Sequence, residues 1–375
     1  MNKAFFINGG AGRVLCSIPA LERYAETHDD FIIVSESWSE LYLNSKILRD
    51  HVFPIGHKDL FTDQLKDKKI ISPEPYRVNQ YFNQKCNLIQ AFDIEINELD
   101  EVRETGKINI ELNKEDQVNG HLIAGNVRET KGKNKIIVFQ PFGQSAKVEG
   151  QFIYDSSGRS FEIANIFKLI QELNKDFGVI LMSTIQIPGW ESLGIACPQG
   201  MGLNGWMGVI NSADYFLGCD SVGQHMAYSL NTPATVVIGS TFPENISYPD
   251  SKKFTIIDNG KGNRKYSPIR LTMDITGDRD NEDLMVLDDS TMKSIVKGIK
   301  NSIGISKKDL KDTLGVKKID LKESNPTWGN RAPIPTFGDS KKSILPPSNS
   351  KAFTPKTKKK KKPIDELLEI ESNKS

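Results

Sequence analysis

Residues 214–239 read DYFLGCDSVGQHMAYSLNTPATVVIG. An apolar run, Tyr215 to Leu217, ends in Gly218-Cys219-Asp220-Ser221. A helical pattern carrying Met226, Ala227 and Leu230 begins at once, and Asn231-Thr232-Pro233 stops it before a second apolar run, Ala234 to Ile238. The order is strand, tight loop, helix, turn, strand. Such a unit packs with its strands parallel and its loop at their carboxyl ends, where open α/β sheets bind ligands. Ser221 and Gly223 open the helix, so its first free N–H groups and its positive dipole end face that crevice, which suits a phosphate. Each residue also has an ordinary structural duty to set against this. Gly223 can serve close helix–strand packing, Asp220 can cap the helix, and His225 can be a satisfied interior histidine.

Outward from this stretch, the composition bounds the answer. The chain has 375 residues, 38% hydrophobic and 26% charged, enough for two ordinary domains with a core each and a further segment. Cys16, Cys86, Cys197 and Cys219 are far apart, with no C-x-x-C pair and no clustered histidines, so neither a zinc site nor a disulfide framework is expected. No run of about 18 apolar residues is present to span a bilayer, and MNKAFFINGG turns to Asn-Gly-Gly too early for a secretory signal; a cytoplasmic protein is expected. Charge is unevenly spread. Residues 306–375 hold 17 Lys+Arg against 9 Asp+Glu, leaving 32 against 39 in residues 1–305. With Lys, Ser and Pro dominating and no sustained period, residues 306–375 read as a disordered basic tail. It is a solvated tether or, through its lysine run, a contact for an anionic lipid, nucleic acid or acidic partner surface.

The order Asp220-Ser221-x-Gly223-x-His225-x-Ala227-x-x-Leu230-x-x-Pro233, followed by Gly239-Ser240-Thr241-x-Pro243, resembles the donor-site signature of the ADP-heptose:lipopolysaccharide heptosyltransferases, glycosyltransferase family 9. The family usually sets its glycine directly after the serine, whereas here Val222 intervenes. The resemblance implies a GT-B fold: two Rossmann-like domains whose parallel sheets face a central cleft. The expected domains are 1–130 on the acceptor side and 131–305 on the nucleotide-sugar side. It also implies inverting, metal-independent transfer from a nucleotide-sugar donor to a hydroxyl acceptor, with no resident cofactor. No D-x-D motif follows a strand to hold a metal; Asp278 and Asp280 fall in a polar loop.

The chain opens with a buried strand, Lys3 to Asn8, and a glycine-rich turn, Gly9, Gly10 and Gly12, into a helix with Val14, Leu15, Ile18 and Leu21 on one face. This lines up with the family's G-x-G-D-V-L-x-x-x-P-A-L pattern, in which the acid is regarded as the base for the acceptor hydroxyl. The matching residue here is Arg13, and a guanidinium accepts no proton in neutral water. Three explanations stand: another acid serves, Arg13 holds a phosphate or anionic acceptor, or turnover is lost and the protein only binds. Strands at Phe31–Val34, Val52–Ile55 and Lys69–Ile71 would bring Glu36, His57 and Glu74 to one sheet edge. Glu36, then His57, are the preferred catalytic bases. Crossover helices are expected around Leu41–Leu43 and Leu60–Leu65, a helix over Tyr76–Phe92, an edge strand over Ile108–Leu112 and a helix over Asn113–Glu129.

In the second half, the strand Ile136–Phe139 leads into a long loop before a helix at Phe161–Leu173. By resemblance this loop approaches the donor phosphates: Pro141-Phe142-Gly143 stands for the family's Pro-Gly pair, and Arg159, with Lys147 as second candidate, for its basic residue, where a cation would stabilise the departing diphosphate. Ser240 and Thr241 complete the donor-binding set with Asp220, Ser221, Gly223 and His225. Further strands are expected at Gly178–Met182 and Phe254–Ile257, with helices at Trp206–Asn211 and Asp289–Ile303. Other functions stay open: a catalytically inactive nucleotide-sugar or glycan binder of the same fold, a nucleic-acid binder through the lysine run, and a dehydrogenase suggested by GGAG. The last lacks the third glycine of the dinucleotide fingerprint, whose place Leu15 takes.

Overall fold

Alternation along the first strand sets the architecture of the first lobe. The structure, a computed structural model, describes residues 2–149, 152–187, 189–265 and 283–304; the basic tail and the Asp278–Asp280 loop lie outside these. In β1 (Lys3–Ile7), Phe5 and Ile7 point into a large apolar cluster with Val14, Leu15 and Ile18 of α1 (Ala11–Ala25), while Ala4 points to the opposite face. β2 (Phe31–Ser35) repeats this, with Phe31 and Ile33 on the α1 side and Ile32 and Val34 on the other. With β3 (Val52–Pro54) and β4 (Lys69–Ile71) they form a parallel sheet of order β3-β2-β1-β4, in which Phe5 pairs with Ile33 and with Ile71.

Between these strands the chain uses single turns where the sequence predicts crossover helices. A 3-10 turn spans Ser39–Asn44 and a π turn Leu60–Leu65, each entered through a left-handed residue, Trp38 and Asp59. Likewise the helix predicted over residues 76–92 is broken. Gln84 takes a positive φ of 59°, so the chain makes a short α2 (Asn79–Phe82) and restarts at α3 (Leu88–Asn97) on an Asn87/Gln90 capping box. The edge strand expected at Ile108–Leu112 is not formed. Ile108 is buried, Asn109 donates to Glu22 of α1, and one bond from Glu111 N–H to the Asn44 carbonyl replaces a ladder.

α4 (Lys114–Lys131) follows, with Asn113 capping its start. The second sheet begins with β5 (Ile136–Gln140). Where the sequence suggests only a long loop, an antiparallel hairpin forms from β6 (Ala146–Glu149) and β7 (Phe152–Asp155). Then come α5 (Ile163–Leu173), β8 (Gly178–Leu181), α6 (Leu203–Ser212), β9 (Tyr215–Cys219), α7 (Val222–Ser229), β10 (Ala234–Ile238), a one-turn α8 (Pro243–Ile246), β11 (Phe254–Asp258) and α9 (Asp289–Ile303). The five strands run parallel in the order β11-β10-β9-β5-β8. Ile137, Phe139, Leu217 and Val237 bury one face under α5 and α9. α9 stays on this lobe, with Lys300 ion-paired to Asp176.

The other face, with Val138, Phe216 and Val236, belongs to the same apolar cluster as α1 and β1, so one core runs through both lobes. α4 and α6 approach at backbone contact: a Cβ on Gly120 would lie 2.1 Å from the Gly208 carbonyl group, and one on Gly208 2.1 Å from the Asp116 oxygen. Two polar links cross as well. Asn44 donates to Asn204 (2.8 Å), and buried Asn245 donates to the carbonyls of Tyr81 and Cys86 (2.9 Å each). No described helix is long and apolar enough to cross a membrane.

Candidate active site

Because both sheets are parallel, the turns leaving β1, β5, β9 and β10 all emerge at carboxyl ends, and they meet around a cavity of about 680 Å³. Its first-lobe wall includes Gly10, Gly12, Arg13, Trp38 and Tyr76. Its second-lobe wall includes Gln140, Gly143, Arg159, Asp220, Ser221, His225 and Thr241.

The glycine-rich turn of the first lobe is shaped by contact across the cleft. Gly9 adopts φ 91°, a conformation that disfavours any side chain. Gly10 caps α1, and a Cβ there would lie 2.7 Å from Gln144 Oε1. A Cβ on Gly12 would lie 2.9 Å from His225 Cδ2. Next to it, Arg13 is 4% exposed and fully engaged. Its Nε donates to the Asn8 carbonyl (2.9 Å), Nη2 to Asn8 Oδ1 and to the Pro73 carbonyl (3.2 Å each), and Nη1 to Glu74 Oε1 (2.9 Å). Tyr76 and Phe92 lie against its guanidinium at 5.0 and 5.4 Å. Arg13 is therefore a brace that ties α1 to the segment after β4.

Glu36 and His57 are exposed and are not among the cavity-lining residues; His57 sits edge-on to Phe53. Lys147 is exposed on β6 and is likewise absent from the lining. The remaining sequence-chosen residues of the second lobe converge. Asp220, 5% exposed, accepts from Gln224 Nε2 and Thr241 Oγ1 (2.9 Å each) and pairs with Arg159 Nη1 at 3.7 Å. Ser240 Oγ donates to the Ser157 carbonyl (2.8 Å), joining the β10 turn to the loop that carries Arg159. The Gly143 N–H donates to Ser160 Oγ (2.9 Å).

The start of α7 is partly occupied. Gln140, the last residue of β5, accepts the Gly223 N–H on Oε1 (2.9 Å) and donates from Nε2 to Ser221 Oγ (3.2 Å). A Cβ on Gly223 would meet this oxygen at 2.3 Å and the Phe216 ring at 2.5 Å, so glycine here admits the strand side chain to the helix end. Ser221 and Val222 remain on the cavity wall.

Sequence reasoning passed over three residues that organise the site. Gln140 is one. Asp155 is the second: its Oδ1 accepts from Ser145 Oγ, Ser157 N–H and Ser157 Oγ, and its Oδ2 from Arg159 N–H, Ser160 N–H and Ser160 Oγ. Burial pushes this carboxyl up, but the serine hydrogen bonds outweigh it and hold it at about 2. The signal was legible in Asp155-Ser156-Ser157-Gly158, an Asx-turn sequence just ahead of Arg159. Arg159 itself is pushed down by burial but raised overall by the Asp220 and Asp155 carboxylates, so its charge is secure. Third is Tyr248, whose OH lies 2.7 Å from His225 Nδ1. Burial lowers His225 to about 4, with Asp220 pulling up and Arg159 pushing down, so the ring is neutral at neutral pH.

No protein-family model matches the chain, and no curated protein matches it in sequence. Its fold does have solved counterparts. The ADP-heptose lipopolysaccharide heptosyltransferase II of E. coli superposes over 80% of this chain and 98% of its own, with TM-score 0.52 and 12% identity. A glycosyl transferase family 9 protein from Veillonella parvula covers 81% of this chain and 98% of its own at TM-score 0.51 and 11% identity. TibC, an iron-containing dodecameric glycosyltransferase of enterotoxigenic E. coli, gives TM-score 0.54 at 11% identity, over 81% of this chain and 76% of its own. The chain thus has the GT-B, heptosyltransferase-like fold that the motif around Asp220 led one to expect.

Proposed function

We propose that the protein transfers a sugar from a nucleoside-diphosphate sugar to a hydroxyl acceptor, with the donor in the cavity between the lobes. The observation that carries this reading is Arg159. Its guanidinium lies on the cavity wall beside the start of α7, and its loop is tied down by six hydrogen bonds to one carboxylate, Asp155. A fixed cation beside a helix N-terminus is what a departing diphosphate requires, since negative charge grows there as the glycosidic bond breaks. In this reading the charge is met by Arg159 and backbone amides, and transfer proceeds without a divalent metal. The GT-B fold supports it, as does the company of the solved counterparts, of which TibC is known in complex with ADP-D-β-D-heptose. Ser183 and Thr184 after β8, and Met201 and Trp206 around the start of α6, are the wall residues we assign to the nucleoside.

The test is thermal stabilisation by ADP-, UDP- and GDP-linked sugars, followed by release of nucleoside diphosphate from whichever stabilises, with water and a panel of added glycans as hydroxyl acceptors. A ligand at 100 times its Kd adds about 2.7 kcal/mol, which a melting curve registers. Release of diphosphate supports transfer; stabilisation with no release leaves a nucleotide-sugar binder, and no stabilisation by any of the three series removes the donor site.

A further inference from the structure

Arg13, on the first-lobe wall, is a cation that donates to Asn8, Pro73 and Glu74 and accepts no proton. Among the described residues on the cavity wall there is one carboxylate, Asp220, and one imidazole, His225. Asp220 is engaged on both oxygens, by Gln224 on one and by Thr241 and Arg159 on the other. His225 is held from behind only. Its Nδ1 faces Tyr248 OH at 2.7 Å and Cys16 Sγ at 3.5 Å, and its Cδ2–Nε2 edge lies against Gly12 at the first turn of α1. The ring thus reaches from the second lobe to the first turn of α1, where the two walls of the cavity meet.

We infer that His225, through Nε2, takes the proton of the acceptor hydroxyl. This rests on the donor lying in the cavity as proposed above. In the step, the acceptor oxygen forms a bond to the anomeric carbon as the bond from that carbon to the diphosphate oxygen breaks. The bonding electron pair leaves on the nucleoside diphosphate, and the acceptor's proton moves to Nε2. Nδ1–H donates to Tyr248, whose own proton turns to the buried Cys16 thiol; burial keeps that thiol protonated. The imidazolium so formed faces the Asp220 carboxylate and the newly released diphosphate, which raise a ring that burial and the Arg159 cation hold low. Tyr248 is a positioning residue. It is stacked on Tyr228 at 3.5 Å and fixes which nitrogen carries the proton.

Long-range 15N–1H correlation spectra of the full chain labelled at histidine, with His225→Gln to identify the signals, test this before any substrate is known. The expected form at neutral pH is neutral with the proton on Nδ1, and Tyr248→Phe shifts the balance toward Nε2–H. A wild-type ring protonated on Nε2 overturns the inference. With the nucleotide sugar that the wild type turns over, His225→Gln is expected to lose on the order of 10²–10⁴-fold in kcat with donor KM within about threefold. A variant that keeps kcat within threefold removes His225 as the base and leaves sugar transfer standing. A wild type that binds ADP-, UDP- or GDP-sugars without releasing diphosphate to water or to any added glycan acceptor removes both.

Discussion

Gly12 and His225 meet across the two lobes so closely that a single added carbon on Gly12 would lie 2.9 Å from Cδ2 and 3.2 Å from Nε2 of the imidazole. The same contact stands on the continuous core that α1 shares with α7. Glycine at position 12 is therefore required by the neighbour across the cleft, because α1 itself is regular there.

Gly12→Val is expected to force either the ring or the lobe to move, at about 1–3 kcal/mol of stability. Turnover should fall by more than stability alone accounts for, because Nε2 is displaced from the acceptor side. Gly56→Ala serves as the control, since nothing lies within 4 Å of a Cβ there and stability should change little. Urea unfolding of the two variants beside the wild type measures the contrast. Equal midpoints would mean the lobes are not in contact at this point in solution.

Arg13 gives the opposite test of a family pattern. Arg13→Asp would place at this position the acid that the resembling family carries, yet here it would face the carbonyls of Asn8 and Pro73 and the Glu74 carboxylate in place of the guanidinium that now bonds all three. Glu74 is partly exposed, so breaking the pair costs less than the roughly 3–5 kcal/mol of a fully buried one. The expected outcome is a poorly folded protein with no gain in turnover, read by circular dichroism melting. A stable Arg13→Asp variant with enhanced diphosphate release would show an acid at this position to be usable as the base and the brace to be dispensable.

What the sequence disclosed and what it withheld divide along a physical line. Strand, turn and helix around Asp220 were legible because their signals are local: an apolar run, a Ser-x-Gly start and an Asn-Thr-Pro stop. The same holds for β1 and the glycine turn. Gln140 capping Gly223, 83 residues away, and Tyr248 behind His225 were not legible, because each depends on which strand lies beside which. The helices expected near Leu41 and Leu60 failed for a different reason. Only part of their apolar residues reaches the core, Leu41 and Leu60 being buried while Leu43 and Phe61 are exposed, and one anchor of this kind suits a single turn as well as a helix. Arg13 was read as an anomaly of the active site, and only its partners after β4 reveal a structural duty.

Asp155 makes stability depend on acid in a defined window. Its folded-state value, about 2, lies below the ordinary 3.8. A depressed carboxyl contributes stability that is fully present above the unfolded value and is lost as pH falls through the folded one. The loss therefore belongs between roughly pH 4 and pH 2 and amounts to about 2 kcal/mol. Asp155→Asn keeps the shape but replaces acceptor lone pairs with an amide donor facing the hydroxyls of Ser145, Ser157 and Ser160. That variant should lose this acid-dependent part of its stability and, with the Arg159 loop loosened, bind nucleotide sugars several-fold more weakly at neutral pH. Unfolding midpoints from pH 2 to 7 and one donor titration decide it; parallel curves for variant and wild type would contradict the assignment.

Gln140 allows the location of the donor's diphosphate to be tested by a change that should raise stability while lowering affinity. Its Oε1 already accepts from the α7 backbone at Gly223, and Ser221 Oγ can reverse its hydrogen bond to donate to a carboxylate in place of the amide nitrogen. Gln140→Glu thus keeps both contacts and adds a negative charge at a helix N-terminus, worth about 0.3–1 kcal/mol of stabilisation. The same charge occupies the field that a diphosphate would use, so donor binding should weaken at least tenfold, most strongly at low salt where screening is least. A uniform structural perturbation would lower both quantities together. Melting temperature and donor Kd measured on one preparation therefore separate the cases: a rise in the first with a fall in affinity locates the diphosphate at Ser221–Gly223. A rise in the first with unchanged affinity would put it elsewhere on the cavity wall, at Arg159 and the start of α1.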